Sequence, residues 1–255
     1  MARSRARERS RVGTFAAWAE PAPKRPSIDR ERLVGEALAL LDAAGFDGLT
    51  MRRLAERLGV QAASLYNHVR DKHELLALLA DAICGEVSAP DPRRPWREQL
   101  EALAWDYRRV LLAHRDAARV LVATPPVGPT RVRLIEETLA TLHAAGFGDE
   151  ETADAASVFN TYVVGFVLDE TQALPGVDLT DMPADEVGEH FKRWFKALPA
   201  DRYPNIAALA DRLLDADMDR RFGFGLRALL DGWEIRLAAD GGKASPLPAP
   251  GAGGL

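Results

Sequence analysis

The stretch Gln61-Ala62-Ala63-Ser64-Leu65-Tyr66-Asn67-His68 mixes small side chains with polar ones, and no acidic residue falls between Glu56 and Asp71. That composition suits an edge that approaches a polyanion closely. Alanines at Ala62 and Ala63 permit near contact and can touch a thymine methyl. Ser64 can donate or accept, and Asn67 could engage an adenine. Tyr66 and His68 suit phosphate oxygens, with Thr50, Arg52 and Lys72 placed to clamp the backbone from flanking segments. The chemistry is recognition of double-stranded DNA, with no bond made or broken. Against it stands the bland alternative of a surface helical corner that binds nothing.

Such residues need a frame. Ser27 or Asp29 can cap a first helix with apolar positions Leu33, Val34, Ala37, Leu38 and Leu41, and Gly45 stands where a left-handed residue ends it. Thr50 caps a short second helix from Met51 to Leu58 that turns its Leu54, Ala55 and Leu58 inward, and Gly59 stops it. About three residues later a third helix starts near Ala62, completing a helix-turn-helix whose second helix enters the major groove by its N-terminal end. Asp71 and Glu74 form a capping box for a fourth helix through Leu75, Leu76, Leu79 and Ile83.

The three prolines of "SAPDPRRP" (88–95) mark a boundary, and helical patterns recur beyond it. They cover Trp96–Leu112, Ala117–Ala123, Arg131–Ala145, Glu150–Ala173, a piece near Asp185–Ala197 and a last helix Met218–Ala238. Without alternating strands or Asn-Gly hairpins, the expected fold is all-α. The expected division is a basic arm at 1–26, a helix-turn-helix domain at 27–87, a larger helical domain at 88–239 and a low-complexity tail at 240–255. The arm, with arginines at 3, 5, 7, 9 and 11, is either a solubilising tail or a strap along DNA.

Charge follows that division. The chain carries a net −5, yet residues 1–85 hold 14 Lys/Arg against 11 Asp/Glu, so an acidic remainder follows a basic start. A lone cysteine, Cys84, offers no internal disulfide framework, and no run of about 18 apolar residues could span a bilayer. The expectation is a soluble cytoplasmic protein without a membrane partner.

The second domain shows no catalytic constellation. His114, His143 and His190 are scattered, and no HExxH, GxSxG or phosphate-binding glycine loop occurs. Neither an enzyme nor a metal site is expected, and His114 reads as a helix-ending residue.

"DGLTMRRLAERLGVQAASLYNHVRDKHELLALLADAI" resembles the DNA-binding domain of the tetracycline repressor (TetR) family. "LLAHRDAARVLVATPP", "AAGFGDEETADAASVFNTYVVGFVLDE" and "FGFGLRALLDG" resemble the ligand-binding domain of its tetracycline repressor subgroup. The likeness spans 27–238, apart from 177–204. It implies DNA contacts at Thr50, Arg52, Ala62, Ala63, Ser64, Tyr66, Asn67, His68 and Lys72. Ala62 and Asn67 stand where the tetracycline repressor has glutamine and tryptophan, which implies a different operator. It also implies a homodimer through a four-helix bundle of two helices per subunit, here 150–173 and 218–238, with Gly165, Gly223 and Gly225 allowing close backbone approach.

Drug contacts of the subgroup fall on Ser88, Leu103, Tyr107, Leu121, Thr124, Thr161 and Asp169, and Val164 and Phe166 extend the same apolar boundary. For Leu103 and Val164 core packing is an equal reading. The subgroup's metal-ligating histidine falls on Leu121 and its acidic contact on Asp169, so a magnesium–tetracycline chelate is not expected to act here. Trp194 and Phe195 read as a lid. The resemblance implies a repressor that leaves a palindromic operator when an apolar or aromatic effector binds. A ligand-independent DNA-binding protein, or a helical enzyme with a DNA-targeting domain, are the alternatives.

Overall fold

The computed structural model describes residues 29–171, 184–213 and 217–240, and among them every regular element is a helix. The arginine arm, the Ser27 cap and nearly all of the tail lie outside the described residues.

The first four helices are α1 (Arg30–Gly48), α2 (Met51–Leu58), α3 (Ala62–Leu65) and α4 (Lys72–Gly85). Asp29 caps α1 by accepting the Arg32 N–H, and Leu33, Ala37, Leu40 and Leu41 form its buried stripe. Gly45 does break the helix, with φ 71° and ψ 178°, a region open to glycine alone. The chain nonetheless adds one further turn, which redirects Phe46–Gly48 toward the rest of the molecule. Thr50 caps α2 through the Arg53 N–H, and Gly59 (φ 69°, ψ 32°) ends it in the left-handed region. Asp71 accepts the Glu74 N–H, while Glu74 reaches back to the Arg70 N–H, one residue earlier than the usual capping box.

Beyond residue 88 come α5 (Trp96–Ala113), α6 (Ala117–Val122), α7 (Pro129–Ala145), α8 (Asp149–Thr171), α9 (Ala184–Lys196), α10 (Pro204–Leu213) and α11 (Met218–Asp240). The reading above has no counterpart to α10. Its signal was present: Pro204 at the first helical position, then Ile206, Leu209, Ala210 and Leu213 at helical spacing. Helices α9 and α10 pack on one another.

One hydrophobic cluster runs from Leu33 through Leu79, Leu100 and Val163 to Phe222 and Trp233. Helix α4 belongs to both halves, packing on α1 and also on α5, α6 and α7. Buried Arg108 on α5 ties α8 and α11 together. Its guanidinium makes two bonds to Glu170 (2.9 and 2.7 Å) and one to Asp219 (2.7 Å), beside the rings of Trp105, Phe166 and Phe222. Two of the glycines expected at a dimer seam also have neighbours within the chain. A Cβ on Gly225 would lie 2.5 Å from the Tyr162 hydroxyl, and one on Gly223 would lie 3.4 Å from Trp105. Gly165 faces open space.

Candidate functional site

Two features call for a ligand: the exposed tip of α3 and a cavity beneath α7. At the tip, Leu65 and Val69 are fully buried, and the segment packs on α2. Gln61, Ala63, Tyr66, Asn67 and His68 project to solvent, with Ala62 and Ser64 half-buried. The helix is shorter than the pattern suggested. It closes at Leu65, and Tyr66–His68 follow as a turn held by the His68 N–H to the Leu65 carbonyl (2.9 Å).

The clamp residues are already engaged. Thr50 caps α2, exposed Arg52 pairs with Glu56 at 3.0 Å, and the Lys72 ammonium lies 5.2 Å from the centre of the Phe46 ring. An exposed pair such as Arg52–Glu56 contributes little stability, so phosphate could take Glu56's place at small cost. Backbone N–H groups hold the Asp71 and Glu74 carboxyls below the ordinary carboxylate range. The positive excess of the first 85 residues belongs to 1–28, with seven Lys/Arg against two Asp/Glu. Residues 29–85 hold seven against nine. The folded tip avoids negative charge, and the surplus positive charge sits in the arm.

The cavity, open to solvent on one side, holds about 460 Å³ and draws its walls from four helices. Cys84 comes from α4 and Tyr107 from α5. Arg131, Leu134, Ile135, Thr138 and Leu139 come from α7, and Ala153, Ala156, Ser157, Phe159 and Asn160 from α8. Of the nine residues expected above to meet a ligand, Tyr107 alone is among those that line this space. Leu103, Leu121 and Val164 are buried in the core, and Phe166 packs edge-on against Phe222. Thr161 and Asp169 are exposed on α8, and Ser88 lies outside with its N–H on Asp106. Thr124 acts one step back, accepting Arg131 Nη1 at 2.8 Å.

Burial pushes the Cys84 thiol up to about 11 and raises the Tyr107 phenol as well. Both are therefore neutral polar groups at the cavity wall. The donors for a divalent ion do not fit: Leu121 is apolar, Asp169 is exposed, and no three His, Cys, Asp or Glu cluster among the described residues.

Sequence reasoning missed the links between tip and cavity. Asp81 on α4 caps α7 from outside, accepting the N–H of Thr130 (2.8 Å) and of Arg131 (3.0 Å), while the Thr130 hydroxyl donates to the Asp81 carbonyl. A Cβ on Gly128 would collide with Asp81, so the contact depends on that glycine. At the other face, Asp116 adopts φ 58° and accepts the Phe46 N–H at 2.7 Å, and Arg119 lies 4.7 Å from the centre of the Phe46 ring. His114 ends α5 and lies between Asp42 (3.4 Å) and Glu86 (3.0 Å). No local pattern marks these residues, because their partners lie about 30 to 70 positions away.

Comparison with known proteins agrees with this arrangement. Residues 33–79 match the family described as "Bacterial regulatory proteins, tetR family", and 89–237 match "Tetracyclin repressor-like, C-terminal domain". The HTH-type transcriptional repressor DrrR1 of Streptomyces coeruleorubidus is 33% identical over 227 residues, covering 87% of this chain and 83% of that protein. The class A tetracycline repressor of transposon 1721, from Escherichia coli, is 36% identical over 203 residues, 78% of this chain and 88% of its own. ActR of Streptomyces coelicolor, solved in complex with actinorhodin, superposes with a TM-score of 0.74 at 34% identity, over 83% of this chain and 99% of ActR. No helix among the described residues is long and apolar enough to cross a membrane. The chain belongs to the TetR family of bacterial regulatory proteins, as a non-enzymatic helix-turn-helix transcriptional repressor with a tetracycline repressor-like C-terminal domain.

Proposed function

We propose that the protein binds a palindromic operator as a homodimer and releases it when a small, largely aromatic molecule occupies the cavity beneath α7. Residues 27–87 form the DNA-binding unit and 88–239 the effector-binding and dimerising unit. Ala62, Ala63, Ser64 and Asn67 read base edges. Thr50, Arg52, Tyr66, His68 and Lys72 hold phosphates. Similarity to ActR, solved with actinorhodin, favours an aromatic effector.

The observation that carries this reading is the position of α4. It follows the tip directly in the chain, packs on α1 and lines the cavity with Cys84, while Asp81 grips α7. A ligand that shifts α7 therefore acts on the helix that leads directly from the tip. To move a 99:1 balance to 1:99, the effector must prefer the released arrangement by about 5.5 kcal/mol.

Pairing with a second copy is supported by unpartnered apolar residues on two neighbouring helices. Val158 on α8 and Phe224 and Ile235 on α11 are 44%, 68% and 71% exposed, beside open Gly165 and Gly232. In sedimentation the chain is expected to run as a dimer and Ile235→Asp as a monomer. Operator gel shifts with fractionated small molecules from cells test the rest. Loss of the shift with one fraction supports effector control, and a shift unmoved by every fraction favours a ligand-independent DNA-binding protein.

A further inference from the structure

We propose that the effector carries an anionic group and that Arg131 receives it. The inference rests on the cavity beneath α7 being the effector site, and it names the chemistry that this site selects. Among the described lining residues Arg131 is the one ionic side chain, and none of them is a carboxylate. The Cys84 thiol and the Tyr107 phenol, both raised by burial, stay neutral.

Among the described residues the guanidinium is held by neutral acceptors alone. Nη1 donates to the Thr124 hydroxyl (2.8 Å), the Pro125 carbonyl (3.1 Å) and the Thr124 carbonyl (3.2 Å), and Nη2 donates to the Leu121 carbonyl (3.3 Å). These bonds fix the side chain at the end of α6 without neutralising it. The Asp81 carboxylate grips the backbone N–H of Arg131 but makes no ion pair with its guanidinium. Arg97, Arg108, Arg119 and Arg133, on the same domain, each pair with a carboxylate.

A half-buried cation beside apolar walls is a costly arrangement unless a counter-charge arrives. The planar guanidinium fork matches a carboxylate, or the phenolate edge of an acidic aromatic, better than any neutral group. Leu134, Ile135, Leu139 and Phe159 would take the ring system, and Ser157 and Asn160 on α8 offer neutral partners to its carbonyl or hydroxyl groups. Because Asp81 holds the backbone of the same residue, an anion bound to the Arg131 side chain acts one peptide away from α4.

Calorimetric titration of the full chain with anthraquinone carboxylate and with its neutral carboxamide tests the inference. The two probes share a ring system that suits the cavity and differ in charge. The carboxylate is expected to bind at least about tenfold more tightly. Arg131→Gln should bring it to the level of the carboxamide, whose own binding stays within about twofold, and Arg131→Lys should keep part of the preference. Equal binding of both probes to the unaltered protein overturns the role of Arg131 and leaves the cavity as effector site. So does a preference that survives in Arg131→Gln. Binding of neither probe removes the cavity reading, and this inference with it. If Arg131→Gln does not fold, Arg131→Lys and the probe pair on the unaltered chain still decide.

Discussion

The tip of α3 and the cavity beneath α7 solve opposite problems. The tip presents consecutive residues, Gln61 to His68, of which only Leu65 is buried. The cavity gathers residues from Cys84 to Asn160 on four separate helices, with Cys84, Tyr107, Leu134, Thr138 and Phe159 buried at its base. A surface that reads DNA must be exposed, so its residues can change without disturbing the frame. Cavity residues share their helices with the hydrophobic core, so changes nearby also alter stability. Recognition at the tip is therefore separable from folding, and recognition in the cavity is not.

The sharpest break in that contrast should come from Arg108, whose side chain is 6% exposed while that of its partner Glu170 is 15% exposed. Arg108→Ala leaves Glu170 unpaired and should lower stability by about 3 kcal/mol, read as a shift in the urea midpoint. A change within about 0.5 kcal/mol would mean that the second domain tolerates substitution as the tip does. At the tip, Asn67→Ala should alter which operator is preferred, costing about 1–3 kcal/mol of discrimination at one base pair while leaving the urea midpoint in place. Equal loss on every sequence would remove Asn67 from base reading.

Asp81→Ala stands between the two regions. Losing its bonds to the α7 N-terminus should cost about 1–2 kcal/mol of stability. The variant should still bind operator, yet a cavity ligand should release it less completely, as fluorescence anisotropy of labelled DNA can record. Smaller still is Lys72→Ala, which should weaken all DNA alike and reduce the slope of log affinity against log salt by about one. Magnesium–tetracycline should leave operator binding unchanged, since Leu121 offers the metal no ligand; micromolar binding by calorimetry would contradict that.

The same contrast governs what the sequence revealed. Helix caps and turns at Asp29, Thr50, Gly59 and Asp71 are local events within about four residues, and each stands where the pattern predicted it. The tip was legible because its seat, Leu65 and Val69, and its exposed residues share one short stretch. The cavity was not, because Arg131, Asn160 and Cys84 meet only through packing of α4, α7 and α8. Positions carried over from the family fall on or beside α5, α6 and α8 but none on α7, and among them Tyr107 lines the space. Thr124 shows why: it supports Arg131 from behind, a role that no spacing announces. Gly225 teaches a similar lesson, since its missing side chain makes room for Tyr162 of the same chain. Helix α10 was legible and missed, its Pro204 start standing in a stretch that matched no known pattern.

The most direct measurement is selection of binding sites from a randomised duplex library by the full chain, repeated with Asn67→Ala. A two-fold symmetric site should emerge, its half-site centres about 34 Å apart, and the variant should enrich a site altered at the same base in both halves. Enrichment of an asymmetric site, of no sequence at all, or of an identical site by both proteins would contradict a dimer that reads DNA through Gln61–His68.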